Sequence, residues 1–245
     1  MSREITDLVA VNEDSTLKAA SRGARRIPIY DIPIVKAELE RADEVLGLRN
    51  LEPAVSLFGS ARLTKDDRSY QLAFEIAKAL SERGVSIITG GGPGVMEAGN
   101  RGCQAGKLGT SIGLNIKLPR EQSPNIYQDL SLHFDHFLTR KTVFLAYSEA
   151  FICVPGGFGT LDELMEALTL MQTKKMIEKP IILVDRQFWQ PLLDWFGNEL
   201  LSQEMIIAKD LDRVTLVDSV EEVLAALAPI YKELSSEEAK KNLYS

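Results

Sequence analysis

From residue 54 onward, short and almost uninterrupted apolar runs alternate with stretches of helical periodicity, and this alternation constrains the fold more than any other feature. The apolar runs lie at 54–59, 85–89, 109–116, 131–135, 150–154, 180–184 and 213–217. Helical periods fill the gaps at 67–83, 94–106, 137–148, 160–174, 187–202 and 219–234. A strand that is apolar on both faces belongs to a sheet covered on both sides, and strands regularly separated by helices pair in parallel. Right-handed crossovers then give an α/β, Rossmann-like doubly wound parallel sheet with helices on both faces. In such sheets ligands bind beyond the carboxyl ends of the strands, so the loops that follow strands are the places to search.

The rest of the chain is an annex to that core. Residues 1–50 read as an N-terminal helical extension: a polar start with Arg22, Arg25 and Arg26, then Val35, Leu39, Ala42 and Leu46 at helical spacing after Pro33. Residues 51–234 form the main domain, and the polar residues 235–245 form a tail. No internal repeat is evident. The chain of 245 residues, 45% hydrophobic and 26% charged, can build a sizeable core without disulfides or metal. A formal charge of −7 argues against a nucleic-acid surface. No apolar run approaches the ~18 residues of a membrane helix, and the polar start does not resemble a signal peptide. Cys103 and Cys153 form no CxxC pair; Cys153, inside Ala150–Val154, reads as a core thiol, and the usage fits a reducing, cytoplasmic setting. His133 and His136 are poorly spaced for a metal pair, and no metal is expected.

Four strand-end loops carry the chemistry. They are Phe58-Gly59-Ser60-Ala61-Arg62, Gly90-Gly91-Gly92-Pro93-Gly94, the run from His136 to Arg140-Lys141, and Pro155-Gly156-Gly157-Phe158-Gly159-Thr160. Glycines between a strand and a helix let a ligand approach the backbone, and the helix start that follows offers unpaired N–H groups and a favourable dipole for an anion. Each loop can also be a tight turn alone. The third glycine of the dinucleotide fingerprint is replaced by Val95, and the Walker pattern GxxxxGK(S/T) is absent, so NAD and ATP readings lose weight.

Several residues admit two readings. Arg140 and Lys141 near a helix start oppose the dipole, which an anionic ligand would offset; surface ion pairs explain them equally well. Thr160-Leu-Asp-Glu163 has the form of a capping box, while Glu163 is also placed to aim a carboxylate into the cleft. Glu97 sits where a first-turn acid is favoured by the dipole alone, and Glu121 lies in a loop.

Pro155-Gly-Gly-Phe-Gly-Thr-Leu-Asp-Glu163 matches PGGxGTxxE, the motif of the LOG ("Lonely guy") family, often labelled possible lysine decarboxylase. Gly90–Glu97, Arg140-Lys141 and Phe58-Gly59-Ser60 resemble that family's other loops, in the same order, and the resemblance spans about residues 54–230. The N-terminal extension and Leu114–Gln122 resemble its longer bacterial-type branch. The resemblance implies a cytokinin riboside 5′-monophosphate phosphoribohydrolase, which hydrolyses the N-glycosidic bond of AMP or an N6-substituted AMP. It further implies no cofactor, and a homodimer or higher assembly of dimers with the site at the dimer contact. On that reading Arg140, Glu163 and Glu121 are the catalytic candidates. Ser60, Gly91, Gly92, Glu97, Lys141, Gly156, Gly157, Gly159 and Thr160 are the substrate-binding candidates. A non-catalytic nucleotide sensor or carrier on the same fold is the alternative.

Overall fold

The computed structural model describes residues 31–47, 53–118 and 123–231. The chain divides into two compact units, Met1–Ala37 and Glu38–Ser245. Of the first unit only residues 31–37 are described: Asp31 and the opening turns of helix α1 (Ile32–Ala42). In the second unit α1 ends in a single π-helical turn, Asp43–Gly47.

Seven parallel strands follow in one sheet: β1 (Ala54–Phe58), β2 (Ser86–Thr89), β3 (Ser111–Ile116), β4 (Leu130–Phe134), β5 (Ala150–Cys153), β6 (Ile181–Val184) and β7 (Val214–Val217). Their order is β4-β3-β2-β1-β5-β6-β7. The chain first builds outward from β1 through β2 and β3 to β4. It then returns to place β5 on the other side of β1, with Val55 opposite Ala150 and Phe58 opposite Cys153. The direction of winding therefore reverses between β1 and β5, the point at which the loops diverge and leave a crevice.

The alternation of side chains along each strand divides the core in two. Phe58, Ile88, Phe151, Cys153, Ile181 and Leu183 face one layer, formed by α4 (Phe137–Tyr147), α5 (Phe158–Gln172) and Trp189 of α6 (Arg186–Trp195). Leu39, Ala42, Val45 and Leu46 join the same layer. Val55, Leu57, Ile87, Ile152 and Val184 face the other, formed by α2 (Arg68–Ser81), α3 (Val95–Gly106) and α8 (Val220–Ala226). Both layers bury β1 and β5 completely, including Ser56 of β1, whose hydroxyl is hydrogen-bonded to that of Ser148 (2.6 Å).

Two details depart from the sequence reading. The helix expected at 187–202 is α6 followed by a π-helical turn, Phe196–Leu201, and α6 contains Pro191, which removes a backbone donor. A short helix, α7 (Ala208–Leu211), precedes β7 and is too brief to show a period. Both cysteines are free and buried, and burial raises both thiols, that of Cys103 to about 11. Among the described residues no helix is long and apolar enough to cross a membrane, and no group of three His, Cys, Asp or Glu is placed to hold a metal.

Candidate active site

At the carboxyl ends of β1 and β5 lies an open cleft of about 860 Å³, a size that suits a nucleotide. Three loops are tied together to form its floor. Ser60 N–H donates to the carbonyl of Pro155 (3.1 Å), and the carbonyl of Ser60 accepts the N–H of Val95 (3.0 Å), the first residue of α3. Gly94 permits that approach. Its φ is +67°, and a Cβ there would stand 2.4 Å from the Ser60 carbonyl oxygen.

One wall is the start of α5. The helix begins at Phe158 with Gly157 as N-cap and no side chain capping it. The capping box expected from Thr160-x-x-Glu163 is therefore not formed: the helix starts two residues before Thr160, and Glu163 sits well inside it. The first N–H groups of α5 have no intrahelical acceptor, and the residues that carry them line the cleft at the positive end of the helix dipole. Thr160 is buried, with its hydroxyl against Gly156. Nothing lies within 4 Å of where a Cβ would be on Gly157 or Gly159, and neither has a positive φ. Packing and backbone conformation thus give no reason for glycine at either position.

Glu163 and Arg140 stand behind this helix start. Glu163 is only 8% exposed, and its carboxyl is pushed up to about 7 by burial, partly offset by the charge of Arg140. The Arg140 guanidinium lies over the rings of Phe144 (5.3 Å) and Phe137 (5.8 Å), and burial lowers its pKa while Glu163 opposes the shift. Its Nε is buried without a hydrogen-bond partner. The two groups sense each other's charge without reaching ion-pair distance. A poised acid facing an underbonded buried cation in a cleft is an arrangement that fold stability alone does not favour.

Of the expected site residues, the cleft is lined by Ser60, Gly156, Gly157, Gly159, Thr160, Arg140 and Glu163. Gly91, Gly92, Glu97 and Lys141 do not line it. The Gly91 carbonyl accepts from Asn125 N–H (2.8 Å), Asn125 Nδ2 (3.0 Å) and Gln128 Nε2 (2.8 Å), and that of Gly92 accepts from Asn125 Nδ2 (3.0 Å). Glu97 accepts from the Tyr70 hydroxyl (3.0 Å) and pairs with Lys65 (3.6 Å). Lys141 pairs with Asp162 and Glu166, each at 3.1 Å. Glu121 falls outside the described residues. The cleft also takes in Arg62, Gly90, Phe137 and Phe158, which lie in the four loops without having been named as site candidates, and Phe188, which lies outside them. Phe158, 93% exposed, is the signal that could have been used, because an aromatic inside a glycine loop has no core to enter.

Fold and cleft together define a class: doubly wound α/β proteins with a cleft at the switch point of the sheet. The family model described as "Possible lysine decarboxylase" matches residues 87–227, and the chain belongs to this family, the LOG family. A Mycobacterium tuberculosis protein named cytokinin riboside 5′-monophosphate phosphoribohydrolase is 32% identical over 173 residues, 65% of this chain and 85% of its own. The Oryza sativa protein named cytokinin riboside 5′-monophosphate phosphoribohydrolase LOG is 32% identical over 163 residues, and the match spans 64% of each chain. Among solved structures, the molybdenum cofactor binding protein of Rippkaea orientalis superposes with a TM-score of 0.55 at 22% identity, covering 73% of this chain and 97% of that one, a likeness of fold.

Proposed function

We propose that this protein hydrolyses the N-glycosidic bond of a nucleoside 5′-monophosphate, releasing the free base and ribose 5-phosphate. The observation that carries the reading is the co-location, in one cleft, of an uncapped helix start flanked by open glycines and a buried carboxylate one turn further along the same helix. The phosphate lies on the N–H groups of Gly157, Phe158, Gly159 and Thr160, with the Thr160 hydroxyl as a further donor. The ribose then falls toward Glu163. The names of the relatives make cytokinin riboside monophosphates the first substrates to try, with AMP beside them. The rings of Phe137, Phe158 and Phe188 give the cleft an aromatic part suited to a purine.

Cleavage breaks the C1′–N bond, and the electron pair leaves with the base, which takes up a proton from solvent, to which Glu163 later returns the one it accepts. Positive charge grows on the ribose ring, as in glycoside hydrolysis, and the ionised Glu163 stabilises it. Water adds its oxygen to C1′ and gives a proton to Glu163, whose raised pKa makes it a competent acceptor near neutral pH. Arg140 supplies fixed positive charge for the anionic substrate and keeps part of Glu163 ionised. The dehydrated surroundings of both groups strengthen these interactions. No cofactor is required by this scheme.

The test is chromatographic detection of free base from N6-isopentenyl-AMP and from AMP, with Glu163→Gln as control. Base from the wild type alone supports the reading, and the ratio of rates sets the specificity. Tight nucleotide binding without base release would replace it with a non-catalytic sensor or carrier.

A further inference from the structure

The start of α4 holds a group that the scheme above does not use. Arg140 and Lys141 bring two positive charges to the end of the helix where the dipole disfavours them. Lys141 is neutralised by Asp162 and Glu166 of α5. At the helix start itself stands Glu38, from the second half of α1, with its side chain 8% exposed. One carboxylate oxygen accepts the backbone N–H of Asp135. The other accepts the Thr139 hydroxyl at 2.5 Å and faces Nδ1 of His136, the N-cap residue, at 3.3 Å. Five residues along, Asp43 accepts from the hydroxyl of Tyr147 at 2.6 Å, the last residue of α4. The segment 38–47 thus holds both ends of α4 by polar contacts, while Leu39, Ala42, Val45 and Leu46 pack into the layer to which α4 contributes Val143 and Phe144.

The position of α4 decides where the Arg140 guanidinium lies. Phe137 and Phe144 of the same helix flank it, and on another side the Gly90 backbone is so close that a Cβ there would stand 2.6 Å from its Nη2. A guanidinium confined in this way cannot follow a shift of its helix by changing rotamer freely. We propose that Glu38 is a positioning residue: its carboxylate fixes the first turn of α4 and offsets the positive end of that helix. It thereby holds Arg140 at its working distance from Glu163 and the substrate. The inference rests on the substrate-contacting role given to Arg140 above. It assigns the end of α1 a part in the site rather than in bulk packing alone.

The experiment is a double-mutant cycle on the full chain with Glu38→Gln, Arg140→Ala and the pair, read as kcat/KM for base release and as AMP affinity by calorimetry, well below each melting temperature. Glu38→Gln keeps the shape and removes the charge; it is expected to lower kcat/KM about tenfold, the scale of a small misplacement of a substrate-holding group. In the Arg140→Ala background it is expected to add no further loss, because the effect passes through Arg140. Thr139→Val removes one donor to Glu38 and is expected to reproduce part of the loss, which keeps the question open to measurement should Glu38→Gln fold poorly. Wild-type kcat/KM in Glu38→Gln, or losses that multiply in the double variant, would overturn the proposal. A wild type that binds AMP without releasing base defeats the hydrolase reading alone. The same cycle is then read on AMP affinity, where a loss with Glu38→Gln that vanishes beside Arg140→Ala still supports the positioning role. A wild type that neither hydrolyses nor binds AMP defeats both.

Discussion

At the scale of single residues, Glu163 is the clearest case of function set against stability. In the folded chain its carboxyl titrates near 7, against 4.5 for an ordinary glutamate, so the folded state binds that proton more tightly than the unfolded state. The resulting contribution to stability is fully present below about pH 4.5 and is lost as pH rises through 7. Glutamine cannot ionise. Glu163→Gln is therefore expected to match the wild type in acid and to exceed it above pH 7 by up to about 3 kcal/mol, from 1.36 kcal/mol per pKa unit. Chemical denaturation at pH 4 and pH 8 checks this, and equal stability at pH 8 would mean the carboxylate is solvated. If the ionised form is the working one, kcat/KM of the wild type rises about tenfold per pH unit below 7 and levels above it. A profile falling above 7 would instead make Glu163 a proton donor.

Gly90 offers a second test at this scale. A Cβ there meets only side-chain ends, Nη2 of Arg140 and Sδ of Met96, both at 2.6 Å. Gly90→Ala is expected to cost some stability, because Met96 and the confined Arg140 must shift, and to lose at least tenfold in kcat/KM as Arg140 is displaced. Unchanged kinetics would detach the position of Arg140 from the reaction. In the sequence, Gly90 and its neighbours read as one anion loop. The structure instead turns the carbonyls of Gly91 and Gly92 toward Asn125 and Gln128, more than thirty residues on, a partnership that no local pattern announces.

At the scale of elements, the helices and strands were legible because each is long enough, or apolar enough, to show its period. All seven strands stand where the apolar runs lie, to within a residue or two at their ends. What the period could not give is how a helix begins. Thr160-x-x-Glu163 satisfies the capping-box pattern, yet the chain becomes helical at Phe158, where the uncapped N–H groups remain available. Gly159 lies in this first turn with open space where a side chain would go. By helix propensity, Gly159→Ala should stabilise the fold by up to about 1 kcal/mol. By the proposed phosphate site it should weaken nucleotide binding. Calorimetric affinity and a melting curve on one variant separate the two effects, and a stabilised protein with intact affinity would move the phosphate elsewhere.

At the scale of the whole molecule, the order β4-β3-β2-β1-β5-β6-β7 is what makes the site. Placing β1 beside β5 brings Ser60, Gly156 and Glu163, remote in sequence, to one crevice. The alternation of apolar runs and helical periods announces the sheet class, but the position of the reversal follows from which strands pair, a long-range property. The same holds for Glu38, whose contacts lie about a hundred residues away. A homodimer, which the family resemblance implies, would need exposed apolar surface, and Phe158, 93% exposed beside the cleft, is the residue we propose for that contact. Sedimentation of the wild type against Phe158→Ser is expected to show a dimer weakened by the substitution; a monomeric wild type with full activity would confine the site to one chain.

The most direct test of the central claim is a mass balance on a nucleoside 5′-monophosphate incubated with the wild type. Free base and ribose 5-phosphate appearing in equal amounts, with no inorganic phosphate and no product from Glu163→Gln, is the result expected of an N-glycosidic hydrolase. Nucleotide recovered intact, although bound, would contradict it.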